Sequence, residues 1–327
     1  MNLKEIDHNG TVEGFVLVKS CEKKNAKNGS VYLDMRLCDN SGEIVAKSWD
    51  FREGNFLPEV NSIVKVRGVI SDYNNVPQLR VDRVRQVYDS DNVDMSLIIP
   101  SSEYDSGFML ESIRSRVNSF NNEQLKKLVT AMLDEYGDRM LGCPAAFRLH
   151  HAIRGGLLMH TLTVAKLCDC VSDIYPSIDR ELLISGAILH DLCKIDEFNL
   201  SPVGLAQSYT VEGSLIGHLV MGAIAVDRVA RENDIDRDTV ILIEHMLISH
   251  HGEPEYGAAS RPLFLEAEVL SALDSLDANI YEIENALNGV DAGSFSTKQW
   301  ALDDRKFYNH GRTELSTRAI LDNTQKG

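Results

Sequence analysis

The sequence predicts a multidomain chain, an amino-terminal all-β barrel followed by an all-α domain, and two observations predict it. From Thr11 to Val87 apolar residues alternate with polar ones in short runs, whereas from Phe108 onward they recur with the period of a helix. The charge changes at the same place. Residues 1–90 hold 13 Lys+Arg and 13 Asp+Glu, a net of zero; the remaining 20 basic and 36 acidic groups lie in 91–327 and account for the whole −16.

The strand-like runs are residues 12–18 (VEGFVLV), 30–38 (SVYLDMRLC), 44–49 (IVAKSW), 62–69 (SIVKVRGV) and 77–84 (PQLRVDRV), separated by Gly, Asn, Ser and Asp turns such as 39–42 (DNSG). A short helix or loop is expected over 51–60. Five strands with that interruption between the third and fourth match an OB-type barrel. This places a nucleic-acid-binding barrel at 1–90, an acidic, Ser-rich linker with Pro100 at 91–107, a helical domain at 108–292 and an irregular tail at 293–327. Helices are expected over 108–120, 122–136, 144–152, 156–174, 179–195, 213–232, 236–250 and 262–288, with Asn122 and Asp179 as N-caps and Gly252 as a stop.

Composition excludes several classes. The first ten residues carry no apolar core, so no secretory signal is read, and no apolar stretch approaches the roughly 18 residues of a membrane span. Six cysteines without a C-x-x-C pair are expected to be reduced thiols of a cytoplasmic protein. A net charge of −16 argues against loose binding to nucleic acid, but the neutral first ninety residues escape that argument. There is no P-loop, G-x-G-x-x-G or G-x-S-x-G.

Eight of the ten histidines fall between positions 150 and 251. His190-Asp191 ends one apolar helical run and His250-His251 closes another; His160 and His218 stand near the starts of two more, and Asp274 lies in a fifth. Imidazole and carboxylate are the ligand set of a hydrolytic transition-metal centre, and an Asp beside a His can bridge two ions. A lone His on such a face is more often a packed core residue. The order H…HD…H…HH…D is what favours metal. Asp274 and Asp277, one turn apart, both qualify as the last carboxylate, one ligating and the other orienting. Lys194, three residues past Asp191, reads as a contact to a substrate phosphate or a proton donor to a leaving oxygen; the alternative is a solvated lysine. His151 and Arg154 read as substrate contacts beside the Gly155-Gly156 turn; for His150-His151 the alternatives are support of a metal ligand or a helix end. His245 reads as structural.

Residues 144–290 resemble the HD superfamily of phosphohydrolases, in the variant whose extra histidines hold a dinuclear centre. That resemblance implies one ion on His160, His190, Asp191 and Asp274, and a second on a bridging Asp191 with His218, His250 and His251. The whole chain resembles the YhaM-like 3′–5′ exoribonucleases of bacteria, which join an OB-fold to an HD domain. Residues 42–50 (GEIVAKSWD), 150–158 (HHAIRGGLL) and 300–308 (WALDDRKFY) carry this likeness. Met159 stands where that pattern has Glu, at a position outside the ligand set. The resemblance implies hydrolysis of single-stranded RNA, with single-stranded DNA as a second substrate, from the 3′ end to nucleoside 5′-monophosphates. It also implies a homo-oligomer.

The expected cofactor is a divalent metal, two ions per chain, with Mn²⁺ favoured by the carboxylate-rich site and Fe, Co or Mg as alternatives. Such ions activate a water and clamp the attacking and leaving oxygens, with Asp191 and Lys194 as the catalytic side chains. The barrel would hold the polymer by aromatic stacking and basic contacts. Tyr32, Trp49, Phe51 and Tyr73 are the aromatic candidates; Lys23, Lys24 and Lys27 of one basic loop, with Lys47, Arg67 and Arg80, are the basic ones. The alternative places Tyr32 and Trp49 in the barrel core. Two other functions compete: an HD phosphohydrolase acting on mono- or cyclic nucleotides, and a non-catalytic nucleic-acid-binding protein.

Overall fold

The computed structural model describes residue 3 and residues 10–26, 29–49, 51–73, 76–94, 97–147, 151–201, 203–315 and 319–321. The chain divides into two compact units, Met1–Ser101 with Leu200–Gln207, and Ser102–Asn199 with Ser208–Gly327.

The first unit is built on five strands: β1 (Thr11–Asn25), β2 (Val31–Asp39), β3 (Gly42–Ser48), β4 (Ile63–Tyr73) and β5 (Val76–Gln86). They close in the order β1-β2-β3-β5-β4, with β3 and β5 parallel and the other pairs antiparallel. This is the OB-type barrel that the five alternating runs predict. β1 is long enough to serve two neighbours: Thr11–Leu17 pairs with β4 and Leu17–Asn25 with β2, and an irregularity between Val18 and Ser20 bends it between them. Alternation turns Val16, Val18, Leu33, Met35, Leu37, Val64, Val66 and Leu79 into the barrel core. Residues 51–60 form no helix. Part of the run read as a linker is not free of the barrel unit: Ile98 and Ile99 are buried with Leu17, Cys38, Ile63 and Leu205. The apolar Leu97-Ile98-Ile99 triplet supplies the reason.

The second unit is helical, with α1 (Ser106–Asn118), α2 (Glu123–Met140), α3 (Gly156–Ile174), α4 (Arg180–Leu189), α5 (Lys194–Glu197), α6 (Val211–Leu215), α7 (Gly217–Glu232), α8 (Arg237–Ser249) and α9 (Leu265–Leu287). Asn122 and Asp179 cap α2 and α4 as expected, each side chain accepting two backbone N–H bonds. Three expected helices differ. The one over 144–152 is absent among its described residues; the Ala145 N–H bonds instead to the His151 carbonyl, and His151 adopts φ 53°. The run 179–195 breaks after Leu189, and 213–232 breaks at Gly217, whose φ of 75° no helix interior accommodates. Two short strands not foreseen, β6 (Phe198–Leu200) and β7 (Ala206–Tyr209), pair with each other.

The tail is more ordered than expected. Phe295 pairs with Tyr308 and Gln299 with Arg305, folding residues 295–308 back on themselves. No helix among the described residues is long and apolar enough to cross a membrane. All six cysteines are free, and burial pushes the thiols of Cys38, Cys143 and Cys193 up to about 12, which leaves them un-ionised and poor nucleophiles at neutral pH.

Candidate metal centre

Five helices of the second unit deliver seven polar side chains to one buried point. His160 lies in the second turn of α3, His190 caps the end of α4 with Asp191 next in the chain, and His218 opens α7 just after the Gly217 break. His250 caps α8, followed by His251, and Asp274 projects from α9. Close packing of α4 on α8 is set by Gly186, where a Cβ would come within 2.2 Å of the Met246 methyl and 3.2 Å of Leu270. The result is a 4.9 Å separation of the His190 and His250 rings.

Each imidazole is held by its Nδ1. His190 donates to the Ala187 carbonyl, His250 to the Leu247 carbonyl and His251 to the Tyr256 carbonyl, each at 2.8 Å. His160 Nδ1 lies 2.7 Å from Asp277 Oδ2, and His218 Nδ1 lies 3.1 Å from both Glu197 oxygens. A proton fixed on Nδ1 leaves Nε2 as a lone-pair donor. His160 Nε2 and His190 Nε2 then face each other at 3.2 Å. The carboxylate of Asp191 stands between two pairs of these rings. Its Oδ2 is 3.6 Å from His160 Nε2 and 3.4 Å from His190 Nε2; its Oδ1 is 3.3 Å from His218 Nε2 and 3.7 Å from His250 Nε2. Asp274 Oδ1 closes the first side, 3.0 Å from His160 Nε2.

The fit to a cation shows in what these atoms lack. Asp191 Oδ1, His218 Nε2 and His250 Nε2 are buried and make no hydrogen bond, although burying an unsatisfied polar atom costs about 1–3 kcal/mol. The 3.3 Å approach of His218 to Asp191 is close enough for attraction but lacks hydrogen-bond geometry. Among the described residues four clusters offer ligand atoms within 4.8 Å of one another: His160, His190 and Asp191; His190, His250 and Asp274; His218, His250 and His251; and His151, His160 and Asp277. Burial disfavours charge on His160, but Asp274 and Asp277 outweigh it and raise its pKa to about 10. Burial drives His250 the other way, down to about 3. Burial would raise Asp191, yet Lys194 and His190 hold it well below the usual carboxylate range. The carboxylates thus favour positive charge at His160, a charge that a bound cation would supply in place of the Nε2 proton, while His250 is already neutral as a ligand must be.

Lys194 is buried, 8% exposed, with Nζ 2.6 Å from Asp191 Oδ2, so the solvated alternative does not hold. Burial would lower its pKa, but Asp191 raises it and keeps the ammonium charged. His151 is buried against the cluster's edge, its Nε2 2.9 Å from Asp277 Oδ2 and its ring 4.2 Å from that of Tyr281. Asp277 therefore holds both His151 and His160, the orienting position of the two carboxylates. Arg154 is exposed, its Nε beside Gly142, and among the described residues its guanidinium makes no hydrogen bond or ion pair. His245 accepts from the Leu263 N–H at 3.0 Å, apart from the cluster, as the structural reading holds.

In the barrel, Tyr32 and Trp49 stack on each other at 4.6 Å with Lys47 over both rings. Trp49 is 41% exposed and neither ring belongs to the barrel core, so the core alternative falls. Lys23 lies over the Phe51 ring at 5.1 Å, and Lys24 is engaged by Asp34 at 2.6 Å and Glu22 at 3.3 Å. Lys27, His150 and the side chain of Tyr73 lie outside the described residues.

Glu197 was not foreseen. It sits at the end of α5 and reaches His218, 21 residues on, through a contact that only the fold creates. Nothing in the local pattern marks it. Because such a carboxylate fixes the tautomer and basicity of a ligating imidazole, Glu197→Gln is expected to weaken metal affinity about 10–100-fold. Titration with Mn²⁺ followed by calorimetry checks it; unchanged affinity would make Glu197 a purely structural partner.

A family model described as "HD domain" matches residues 157–279, and one described as "Putative helicase" matches residues 105–176. The 3′-5′ exoribonuclease YhaM of Listeria welshimeri is 38% identical over 300 residues, covering 91% of this chain and 95% of that protein. The 3′-5′ exoribonuclease YhaM of Bacillus subtilis is 33% identical, covering 91% and 94%. Among solved structures, the second OB-fold domain of replication protein A from Methanococcus maripaludis matches 27% of this chain and 95% of its own, at 17% identity and a TM-score of 0.24.

Proposed function

The chain belongs to the YhaM family of 3′–5′ exoribonucleases, and from that premise we propose that it shortens single-stranded RNA from the 3′ end at the His/Asp cluster, releasing nucleoside 5′-monophosphates. The observation that carries the reading is the convergence of imidazole Nε2 atoms, each ring held by Nδ1, around both oxygens of one aspartate.

Asp191 offers one oxygen to each of two histidine pairs, which supports two ions per chain with this carboxylate shared. His160, His190 and Asp274 would complete one ligand set, and His218, His250 and His251 the other. The ligand chemistry favours Mn²⁺, with Fe, Co or Mg as alternatives. Divalent metal bound there supplies Lewis-acid activation of water and neutralises charge on the reacting phosphodiester. The chain's own residues do the rest. Lys194 offsets the charge of Asp191 and fixes its rotation, so both oxygens stay aimed at the imidazoles. Held as a cation, it suits electrostatic contact with a phosphate better than release of a proton. Asp277 and Glu197 hold the tautomers of His160 and His218. The buried position of the cluster limits water to what the site admits. The barrel holds the polymer, with the Tyr32–Trp49 stack and Lys47 suited to bases and phosphates of a single strand, RNA or DNA. Free cysteines fit a reducing, cytoplasmic setting.

The test uses the purified protein with Mn²⁺ and an RNA of about 20 nucleotides labelled at the 5′ end. A ladder shortening from the 3′ end, with 5′-monophosphates as product, is the expected outcome. Hydrolysis of free or cyclic nucleotides with the polymer left intact would favour the small-substrate phosphohydrolase. A gel shift without cleavage would favour the binding protein.

A further inference from the structure

We propose that the barrel carries a second nucleic-acid surface, a groove at the seam between β3 and β5 that takes the phosphodiester backbone of single-stranded RNA. The identity of the polymer rests on the exoribonuclease reading; the groove itself stands on the barrel's geometry.

The seam exists because closure is short. β3 pairs with β5 at three positions, Val45 with Gln78, Ala46 with Leu79 and Lys47 with Arg80. Past Arg80, β5 is laddered to β4 on one side, and Ser48, Trp49, Phe51, Asn55 and Phe56 line the other. A cavity of about 1130 Å³ opens there, floored by Val66, Val81 and Val84 and rimmed by Trp49, Phe51 and Phe56. That lies at the upper end of ligand-site volumes and gives room for a segment of a polymer.

The charge in this groove is lopsided. Lys65, Arg67, Arg80, Arg83 and Arg85 line it against Glu13 and Asp82. The β4–β5 register sets Arg67 directly opposite Arg83 and Lys65 directly opposite Arg85. Like charges in such positions oppose folding. Two of these cations are relieved, Lys65 by Glu13 at 2.9 Å and Arg85 by Asp91 through two bonds of 2.7 and 2.8 Å. Arg67 faces Glu13 across the β1–β4 ladder, but Glu13 is engaged by Lys65, and neither Arg67 nor Arg83 has a carboxylate within ion-pair distance among the described residues. A bulge sharpens the arrangement: the register passes from Arg67–Arg83 to Gly68–Val81, so both Asp82 and Arg83 are exposed in succession. One carboxylate shared with Lys65 leaves this opposed pair unbalanced. A polyanion balances it, since arginine grips phosphate in a bidentate fork.

The aromatic rim supplies the second half of single-strand recognition. Trp49 and Phe56 are 41% and 36% exposed, Trp49 carrying one ring face on Tyr32, and both offer aromatic surface at the rim for bases. Trp49 also belongs to the Tyr32 stack, so the groove and the β2–β3 face share one residue and form a continuous path on the barrel.

The experiment measures anisotropy of a fluorescein-labelled RNA of about 20 nucleotides, with hydrolysis-resistant phosphorothioate linkages at its 3′ end, bound to the Mn²⁺-loaded full chain over a range of KCl. The double variant Arg67→Gln/Arg83→Gln is expected to bind about tenfold or more weakly, because charged hydrogen bonds are lost. Its slope of log affinity against log salt should be shallower by about 1.4, some 0.7 for each single-strand phosphate contact. Arg67→Lys/Arg83→Lys, which keeps the charge, should retain the slope. Relief of the opposed charges should leave the glutamine variant melting no lower than wild type, so weaker binding cannot be put down to misfolding. A wild-type slope in the glutamine variant overturns the groove. Failure of the wild-type enzyme to release nucleotides from ordinary RNA would instead overturn the exoribonuclease reading, and leaves the slope comparison intact.

Discussion

Asp191→Ala is expected to cut RNA hydrolysis by at least about 10³-fold and, separately, to destabilise the helical unit. The first effect follows from the carboxylate's place between the two histidine pairs. Lewis-acid activation and charge neutralisation are worth several kcal/mol, and about 1.4 kcal/mol is a factor of ten in rate. The second follows from Lys194. Its ammonium is buried and loses the oxygen 2.6 Å away, and stranding one member of a buried pair costs about 3–5 kcal/mol. Loss of activity in the single variant could therefore reflect unfolding. Asp191→Asn/Lys194→Met separates the two: it removes the stranded charge, so thermal stability should recover while hydrolysis stays lost. Stability is read by thermal melts and activity by release of 5′-monophosphates. RNA cleavage by the double variant at the wild-type rate would remove Asp191 from the chemistry.

Metal removal is the second large effect. Dialysis against EDTA is expected to abolish hydrolysis and lower the melting temperature, and Mn²⁺ should restore both. At about 100-fold excess over its dissociation constant, a ligand specific to the native state adds about 2.7 kcal/mol. For a unit of this size that corresponds to roughly 5–10 °C. The direction is set by the pocket: without a cation, the buried Asp191 Oδ1 and the Nε2 atoms of His218 and His250 have no partner, and two imidazole Nε2 atoms crowd at 3.2 Å. A melting temperature indifferent to both EDTA and Mn²⁺ would show that these atoms are satisfied in some other way.

Much of this was legible in the residues because its signals are local. Barrel strands announce themselves by alternation, which is why Val64, Val66, Leu33 and Leu37 were readable as one face. The caps at Asn122 and Asp179 need only the next few residues to do their work. The ligand candidates stood out because His-Asp and His-His pairs closing apolar helices have few packing uses. What was not legible depends on distant partners. Glu197 matters only once β6, β7 and α6 carry the chain back to His218. The role of Asp277 over Asp274 is decided by His151 and His160, more than a hundred residues earlier. The helix expected over 144–152 is absent among its described residues because the Ala145 N–H bonds to the His151 carbonyl, a pairing that local apolar content does not announce. The opposed arginines of β4 and β5 required the register, which no single strand reveals.

Metal content is the direct test of the centre. The full chain is equilibrated with Mn²⁺, freed of unbound ion and assayed by inductively coupled plasma mass spectrometry, alongside His190→Ala and His218→Ala. The expectation is two equivalents per wild-type chain and a loss in each variant, since each histidine lies on a different side of Asp191. A wild-type chain that hydrolyses RNA while retaining no metal, or variants that keep the full complement, would contradict it.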